Sequence, residues 1–296
     1  MAQTPSNLLQ TSVQTDLPSP ADFAQALSLR LPDFYSVQWL AQTGSTNMDL
    51  MQRLRQTAHP ARTDLPCLLG AHLQTAGRGR AGRVWHNLRG DALMFSCAFQ
   101  INIPIAQLAG VSPALGIAAC EALRSLIDPA RHPTGSSSQT ETRRLTLKWP
   151  NDLQWDAGKL AGILVETLQP AGSDHPFLVA GIGLNLRRAV ELSEALGRPI
   201  SDWSQICDLP AAQIVTAIAR GWAQALKDYA ATGFEGFRSR FAQVDVLPGA
   251  QVTVTDQGKT LHTGMASGTD ALGRLLVQTA SGIVPIMVGD ISIRTA

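Results

Sequence analysis

Apolar residues along the chain recur with two periods, and each predicts an element. Short, nearly unbroken apolar runs predict strands at 36–42, 67–73, 92–99, 145–149, 159–166 and 177–185. Spacing of three and four predicts helices. One covers 21–31 ahead of Pro32. A second opens at Ser45-Thr46-Asn47 and carries Met48, Leu50, Met51 and Leu54 on one face. A third, 105–127, has Ala114, Ala118, Ala119 and Ala122 for close packing and a break near Pro113. A fourth, 210–229, places Val215, Ile218, Trp222, Leu226 and Tyr229 together, and a short helix follows at 234–241. After Pro248 the texture changes. Short apolar clusters at 252–254, 275–277, 283–284 and 291–293 sit between glycine turns, which predicts a small β-barrel. Two tracts lack either period: the Ser/Thr/Gln/Pro-rich lead 1–20, and 128–144, with no aliphatic side chain between Ala130 and Leu145. Both are expected to be disordered or surface loop.

Composition narrows the class. Hydrophobic residues make up 45% and charged residues 16%, so a packed protein is expected. Lys and Arg total 24 against 23 Asp and Glu, a net charge of +1, which argues against a protein built to coat nucleic acid. The four cysteines, Cys67, Cys97, Cys120 and Cys207, lie mostly in apolar runs without C-x-x-C spacing. They read as reduced core residues of a cytoplasmic protein, not as a disulfide frame or zinc site. No signal peptide is visible, and no stretch is expected to approach a membrane span.

Two stretches carry chemistry. Between the second and third strands, Gly77-Arg78-Gly79-Arg80-Ala81-Gly82-Arg83-Val84-Trp85 offers glycine backbone N–H groups, forked cationic donors and an indole face for stacking. A closing lid over a ligand with a phosphate and a base fits this set. The glycines also satisfy G-x-G-x-x-G, but a strand follows where a dinucleotide fold needs a helix. With Val84 they satisfy the kinase glycine loop, but V-A-I-K, H-R-D and D-F-G are absent. An arginine–glycine nucleic-acid tail would sit in polar context, whereas two apolar strands clamp this loop.

The second stretch is Lys148-Trp149-Pro150-Asn151-Asp152 with Lys159 beyond it. Apolar β residues surround Lys159. A strand-end lysine snorkelling to water and a point charge aimed at a carboxylate or phosphate both fit. Asn151-Asp152 reads as a turn pair or as a polar site, and Thr46-x-x-Asp49 as a capping box that can still present its hydroxyl to a ligand. Gly181 and Gly183 suggest close approach by a ligand; Gly162 suggests tight packing.

Together these motifs resemble the biotin–protein ligase family. The loop 77–85 resembles its G-R-G-R-x-G-R-x-W. Lys148 to Asp152 matches K-W-P-N-D, Lys159 to Glu166 matches K-L-A-G-I-L-V-E, Ser45-Thr46-Asn47 matches S-T-N, and Gly181-Ile182-Gly183-Leu184-Asn185 resembles G-x-G-x-N. The resemblance runs from about Ser36 to the C-terminus. It implies an α+β fold: a mixed central sheet flanked by helices, of the class II aminoacyl-tRNA synthetase-like biotin/lipoate ligase type, plus a small C-terminal SH3-like β-barrel. The implied division is a disordered or short-helical extension at 1–32, a catalytic biotin- and ATP-binding domain at 33–246, and the barrel at 247–296.

The resemblance also implies roles. Ser45, Thr46, Asn47 and Gln74 would hold the biotin ureido ring, with Arg78, Gly79, Arg80, Lys159 and Gly181 completing the biotin site. Arg80, Arg83 and Lys159 would be catalytic. Trp85 would be the adenine platform, with Asn151 and Asp152 near the nucleotide phosphates and metal and Asn185 near the adenine. The implied reaction uses biotin and ATP with Mg²⁺, whose ligands the resemblance does not fix. The acceptor would be a biotin carboxyl carrier protein. The resemblance admits a homodimer. The form expected lacks the family's N-terminal DNA-binding domain, so neither DNA nor a membrane is an expected partner. Two other readings stand beside it: a lipoate or octanoate ligase or transferase of the same fold, and a non-enzymatic DNA-binding biotin sensor.

Overall fold

The computed structural model describes residues 17–56, 64–127, 144–170, 176–256, 258–287 and 290–293. The polar segment expected at 131–144 lies outside the described residues apart from Arg144, and so does most of the lead 1–20.

Seven strands form one mixed sheet: β1 (Ser36–Leu40), β2 (Cys67–Ala71), β3 (Ala92–Gln100), β4 (Leu145–Lys148), β5 (Asp152–Trp155), β6 (Gly158–Leu168) and β7 (Phe177–Asn185). Their order is β1-β2-β3-β7-β6-β5-β4, parallel only between β1 and β2. Every residue of β3 but the last is buried, as is nearly all of β7, because helices cover both faces.

On one face lie α3 (Val111–Arg124) and a long helix, Ala211–Thr232. Gly221 sits against Ala118 and Ala122, so the two axes approach closely, and Trp222 Nε1 donates to the Leu115 carbonyl at 3.0 Å. The expected break in the third helix is a change of helix type. Ile105–Gly110 is 3-10, and the α-helix starts at Val111, with Pro113 buried in its first turn. By length and composition 105–124 could cross a membrane, which corrects the expectation that no stretch approaches one; here about half of it is buried in the protein.

On the opposite face α2 (Thr46–Gln56) packs Leu50, Met51 and Leu54 on Leu69, Ala98 and Val179. α1 (Pro20–Ser28), capped by Ser19, buries Phe23 and Leu27 in the main core, Phe23 meeting Trp39 edge-on at 4.5 Å. Phe23 and Leu27 are about 1% exposed or less, so burying two large side chains contributes roughly 3–6 kcal/mol of transfer free energy.

Some elements escape the hydrophobic pattern. β5 occupies Asp152–Trp155, where only a turn was expected after Asn151. A short helix, α4 (Ala189–Leu196), follows β7; Asp202 Oδ2 accepts from the Ala189 N–H at 2.7 Å and so caps its first turn. The long helix 211–232 is therefore α5, and α6 (Arg238–Val244) follows a 3-10 turn at Gly233–Phe237.

Five C-terminal strands form a second, antiparallel sheet: β8 (Gln251–Asp256), β9 (Lys259–Thr269), β10 (Leu275–Thr279), β11 (Gly282–Ile286) and β12 (Asp290–Ile293), in the order β11-β10-β9-β8-β12. Its inward residues Val252, Val254, Leu275 and Val277 join the main core. Val246 N–H, in the segment leading into β8, donates to the Leu147 carbonyl of β4, and Trp149 Nε1 donates to the carbonyl of Gly273 in the β9–β10 turn, which ties the C-terminal sheet to the turn after β4. Cys97 and Cys120 are fully buried and Cys67 and Cys207 partly so; none of the four forms a disulfide. Burial pushes the Cys120 thiol up to about 12, so it is inert at neutral pH.

Candidate active site

The face of the sheet under α2 becomes thin beyond the helix N-terminus. Ser96, Gly181 and Leu164 are cross-strand neighbours there, and so are Met94, Gly183 and Gly162. Three glycines leave a recess where side chains would otherwise stand. This is the floor of a cavity of about 270 Å³. A second groove, of about 810 Å³, runs beside α1 and α5, lined by Leu31, Phe34, Leu65, Phe99 and Ile101. Its charged residues Asp33, Arg220 and Lys227 are exposed, whereas Ser45, Thr46, Asn47, Ser96 and Asn151 in the smaller cavity are 9% exposed or less. Convergent buried polar groups mark a binding site better than volume does.

One end of the cavity is a hydrogen-bonded polar cluster. Thr46 N–H donates to Gln74 Oε1 at 2.7 Å, and Thr46 Oγ1 lies 3.0 Å from the same oxygen. Ser96 Oγ is 2.7 Å from Thr46 Oγ1 and donates to Asn47 Oδ1 at 2.6 Å. Asn47 Nδ2 donates to Glu166 Oε2 at 2.9 Å. The expected capping box is absent: Thr46 turns to Gln74 and Ser96, and Asp49 accepts from the Thr43 hydroxyl. The N-terminus of α2 thus presents its first polar groups to the cavity.

The other end is charged. Lys159 Nζ donates to Asp152 Oδ1 at 2.7 Å and stands 5.7 Å from the Trp85 ring centre. Arg80 Nη1 donates to Asn151 Oδ1 at 3.3 Å, while Asn151 Nδ2 donates to the Ile163 carbonyl. Lys159 is therefore no lone cation, nor a snorkelling one: its side chain is 18% exposed and it holds a carboxylate.

The arginine loop is a small hairpin. Trp85 N–H donates to the Gly77 carbonyl and Gly79 N–H to the Arg83 carbonyl; Ala81 and Gly82 take left-handed conformations at its tip. Asn87 braces the base through both atoms of its amide to the Gln74 backbone. Trp85 descends onto Gly183, where an added Cβ would lie 2.3 Å from the indole. Its Nε1 is buried with no hydrogen-bond partner, an orphan donor beside the cavity.

The cavity brings together Ser45, Thr46, Asn47, Gln74, Arg78, Gly79, Arg80, Arg83, Trp85, Asn151, Asp152, Lys159 and Gly181. Asn185 is outside it. Its amide donates to the backbone carbonyls of Lys159 and Ser201, and it borders a small recess beside Trp85, Leu192, Leu196 and Arg198. Sequence reasoning missed Ser96, Glu166 and Arg198, and it read Gly162 as plain packing. An added Cβ on Gly162 would sit 3.2 Å from Lys159 Nζ and 3.3 Å from Trp85, so this glycine faces the site.

Residues 43–185 match the model of the biotin/lipoate A/B protein ligase family, and 249–294 match the biotin protein ligase C-terminal domain. A biotin–[acetyl-CoA-carboxylase] ligase of Mycobacterium tuberculosis is 32% identical over 260 residues, covering 85% of this chain and 86% of that protein. The chain belongs to the biotin/lipoate protein ligase family. Among its members, the bifunctional ligase/repressor BirA of Escherichia coli is 31% identical over 282 residues, 95% of this chain and 81% of that one. The fold also matches a ligase-family structure, the biotin protein ligase of Aquifex aeolicus in complex with biotin and ATP. That match has a TM-score of 0.64 and 26% identity over 87% of this chain and 98% of that one.

Proposed function

We propose that the protein is an ATP-dependent ligase that activates biotin as biotinyl-5′-AMP and transfers it to a specific lysine of a biotin carboxyl carrier protein. One observation carries the reading. A single cavity joins a neutral polar cluster, suited to a cyclic urea, to a cationic end suited to a carboxylate and phosphates. The family membership and the ligase names of the relatives support it.

In the first half-reaction a biotin carboxylate oxygen bonds to the α-phosphorus of ATP, and the bond to the bridging oxygen breaks to release pyrophosphate. Lys159, Arg80 and Arg83 bring the two anions together, and their charge balances what builds up in the transition state. In the second, the carrier lysine amine attacks the acyl carbonyl, the C–O bond to AMP breaks, and the amine proton passes to solvent. Neither half needs a covalent enzyme nucleophile. The hairpin over the acyl-phosphate keeps water from it. Trp85 is the proposed platform for adenine and the recess at Asn185 its boundary. Ser45, Thr46, Asn47, Gln74, Arg78, Gly79 and Gly181 are proposed to surround biotin.

Mg²⁺ fits the charged end. Among the described residues no cluster of three or more His, Cys, Asp or Glu side chains forms a protein cage. Asp152 and Asn151, whose Oδ1 atoms accept from Lys159 and Arg80 in the unliganded protein, would offer one carboxylate and one amide oxygen, which suits an ion that keeps its waters and takes its other ligands from phosphates. Bound there, it would screen the triphosphate charge.

The proposed setting is the cytoplasm. A homodimer is compatible with the reading, and a role in binding DNA is left out of it: the net charge is +1, and Arg78, Arg80 and Arg83 line the cavity. The test is incubation with ATP, biotin and a biotin carrier domain, followed by streptavidin blotting. Labelling that needs all three is the expected result. Mass spectrometry showing a lipoyl or octanoyl carrier instead would favour the family's other chemistry.

A further inference from the structure

The polar end of the cavity contains a chain of four oxygens whose hydrogen atoms can be counted. Asn47 Nδ2 lies 2.9 Å from Glu166 Oε2 and 3.3 Å from the Leu164 carbonyl. Both are acceptors, so the amide NH₂ must point to them and Oδ1 must point to Ser96. At the other end Gln74 takes a backbone N–H from Thr46, so its oxygen faces inward. The chain then runs Asn47 Oδ1, Ser96 Oγ, Thr46 Oγ1, Gln74 Oε1. Both terminal atoms are pure acceptors. Three contacts have only two hydroxyl protons to fill them.

The distances say which contact goes without. Ser96 to Asn47 is 2.6 Å, Ser96 to Thr46 is 2.7 Å, and Thr46 to Gln74 is 3.0 Å. Ser96 gives its proton to Asn47, Thr46 gives its proton to Ser96, and the longest contact is left with lone pairs on both sides. Thr46 Oγ1 and Gln74 Oε1 thus form an acceptor pair on the cavity wall that calls for one donor from a ligand. Ser96 is fully buried in an otherwise apolar strand, and this chain accounts for its hydroxyl.

We propose that Ser96 and Glu166 are positioning residues that set the polarity of this chain and so make the pocket a receptor for an N–H donor, the feature a cyclic urea has and a lipoyl or octanoyl chain lacks. The proposal rests on the ligase reading above and deepens it. Glu166 orients the Asn47 amide, Asn47 orients the Ser96 hydroxyl, and Ser96 draws the Thr46 proton away from Gln74. Without Ser96, the Thr46 hydroxyl is free to turn to Gln74 and close the pair on itself. With glutamine at 166, either an oxygen or an NH₂ can face Asn47, so its amide is no longer held in one orientation and the polarity is weakened.

The experiment titrates full-length wild type, Ser96→Ala and Glu166→Gln with biotin, with a biotin methylated on the ureido nitrogens, and with ATP alone. Wild type that binds no biotin sinks the ligase reading itself, independently of the variants. Given wild-type binding, Ser96→Ala is expected to raise the biotin Kd about tenfold or more and Glu166→Gln about threefold or more, the scale of one buried hydrogen bond. The affinity for ATP alone should stay within about twofold, on the same scale. The methylated analogue should bind wild type far more weakly, and the variants should discriminate less. Melting temperature is read in parallel. A lower melting temperature with unchanged biotin Kd in both variants would mean that Ser96 and Glu166 only support the fold, and the proposal would be wrong. Glu166→Gln keeps the side-chain shape and is partly exposed, so it decides the matter if Ser96→Ala does not fold.

Discussion

Lys159→Ala separates two roles that one side chain plays. In the unliganded protein Nζ holds Asp152 at 2.7 Å, with the two side chains 18% and 29% exposed. Solvent reaches the pair, so breaking it should cost only about 1 kcal/mol of stability. In the proposed reaction the same charge meets the phosphate in a site closed by the hairpin. Losing one such preorganised contact costs about 2.7–4 kcal/mol, or roughly 10²–10³ in rate. The two magnitudes differ enough to be told apart. The assay is single-turnover pyrophosphate release with biotin and ATP, with biotin binding measured separately. Biotin binding should weaken but survive, while release should fall by the stated factor. Asp152→Asn completes the cycle. If Lys159 acted only by holding Asp152, adding Lys159→Ala to Asp152→Asn would cost nothing more. A double variant as fast as Asp152→Asn alone, or a single Lys159→Ala variant near the wild-type rate, would refute the assignment.

Gly183→Ala places a Cβ 2.3 Å from the indole of Trp85 and must displace the ring; the KM for ATP should rise by about tenfold with biotin affinity nearly unchanged, and equal ATP kinetics would remove Trp85 from the nucleotide site. Arg80→Gly cuts the hairpin's tie to Asn151, so the variant should release biotinyl-adenylate to solution and label bystander lysines. In the parent protein, trypsin cleavage at Arg78, Arg80 and Arg83 should slow with biotin plus ATP, and slow much less in the variant; cleavage indifferent to ligand would make the arginines static clamps. Burial raises the Asp245 carboxyl from 3.8 to about 6, a folded value above the unfolded one. That contribution to stability, about 3 kcal/mol, is complete below about pH 4 and is lost as pH rises through 6. Urea unfolding of Asp245→Asn should lack this loss, and parallel pH profiles for variant and parent would contradict it.

Strands buried on both faces were legible because nothing but a core tolerates runs such as Leu93 to Phe99. β9 was not. Its Lys-Thr-Leu-His-Thr-Gly-Met-Ala-Ser-Gly-Thr run is polar, and its pairing comes from neighbours instead: Gly264 is needed because an added Cβ would lie 2.2 Å from the Gln278 carbonyl oxygen. α4 hides for a related reason. Its N-terminus is capped by Asp202, thirteen residues further on, a contact with no local signature. In the site, Arg80, Trp85 and Lys159 stood out as charge and ring among glycines and aliphatics. Ser96 did not, since a serine in an apolar run looks like filler until its partners are known. Glu166 was only the last letter of the Lys159-to-Glu166 match, and nothing in the sequence pointed it at Asn47. Asn185 was expected beside the adenine; in the structure its amide is engaged by two backbone carbonyls.

The orientation of Lys159 shows how sequence and site are joined. In a regular strand Lys159 and Gly162, three residues apart, would point to opposite faces, and the lysine would enter the core beside Leu147 and Leu153. The register with β5 shifts here: Asp152 pairs with Gly162 and Leu153 with Ala161, but Gln154 pairs with Lys159. Leu160 is the extra residue of a bulge. Leu160 and Ala161 are both fully buried, so two consecutive side chains enter the core where alternation allows one. Past the bulge the lysine emerges on the same face as Gly162 and Asp152, within 2.7 Å of the Asp152 carboxylate. The Lys-Leu-Ala-Gly order thus carries its meaning in the doubled apolar pair. Those two residues cost the strand its regular ladder at one point, and they turn a cation that would have been buried unpaired into one that faces the charged end of the cavity.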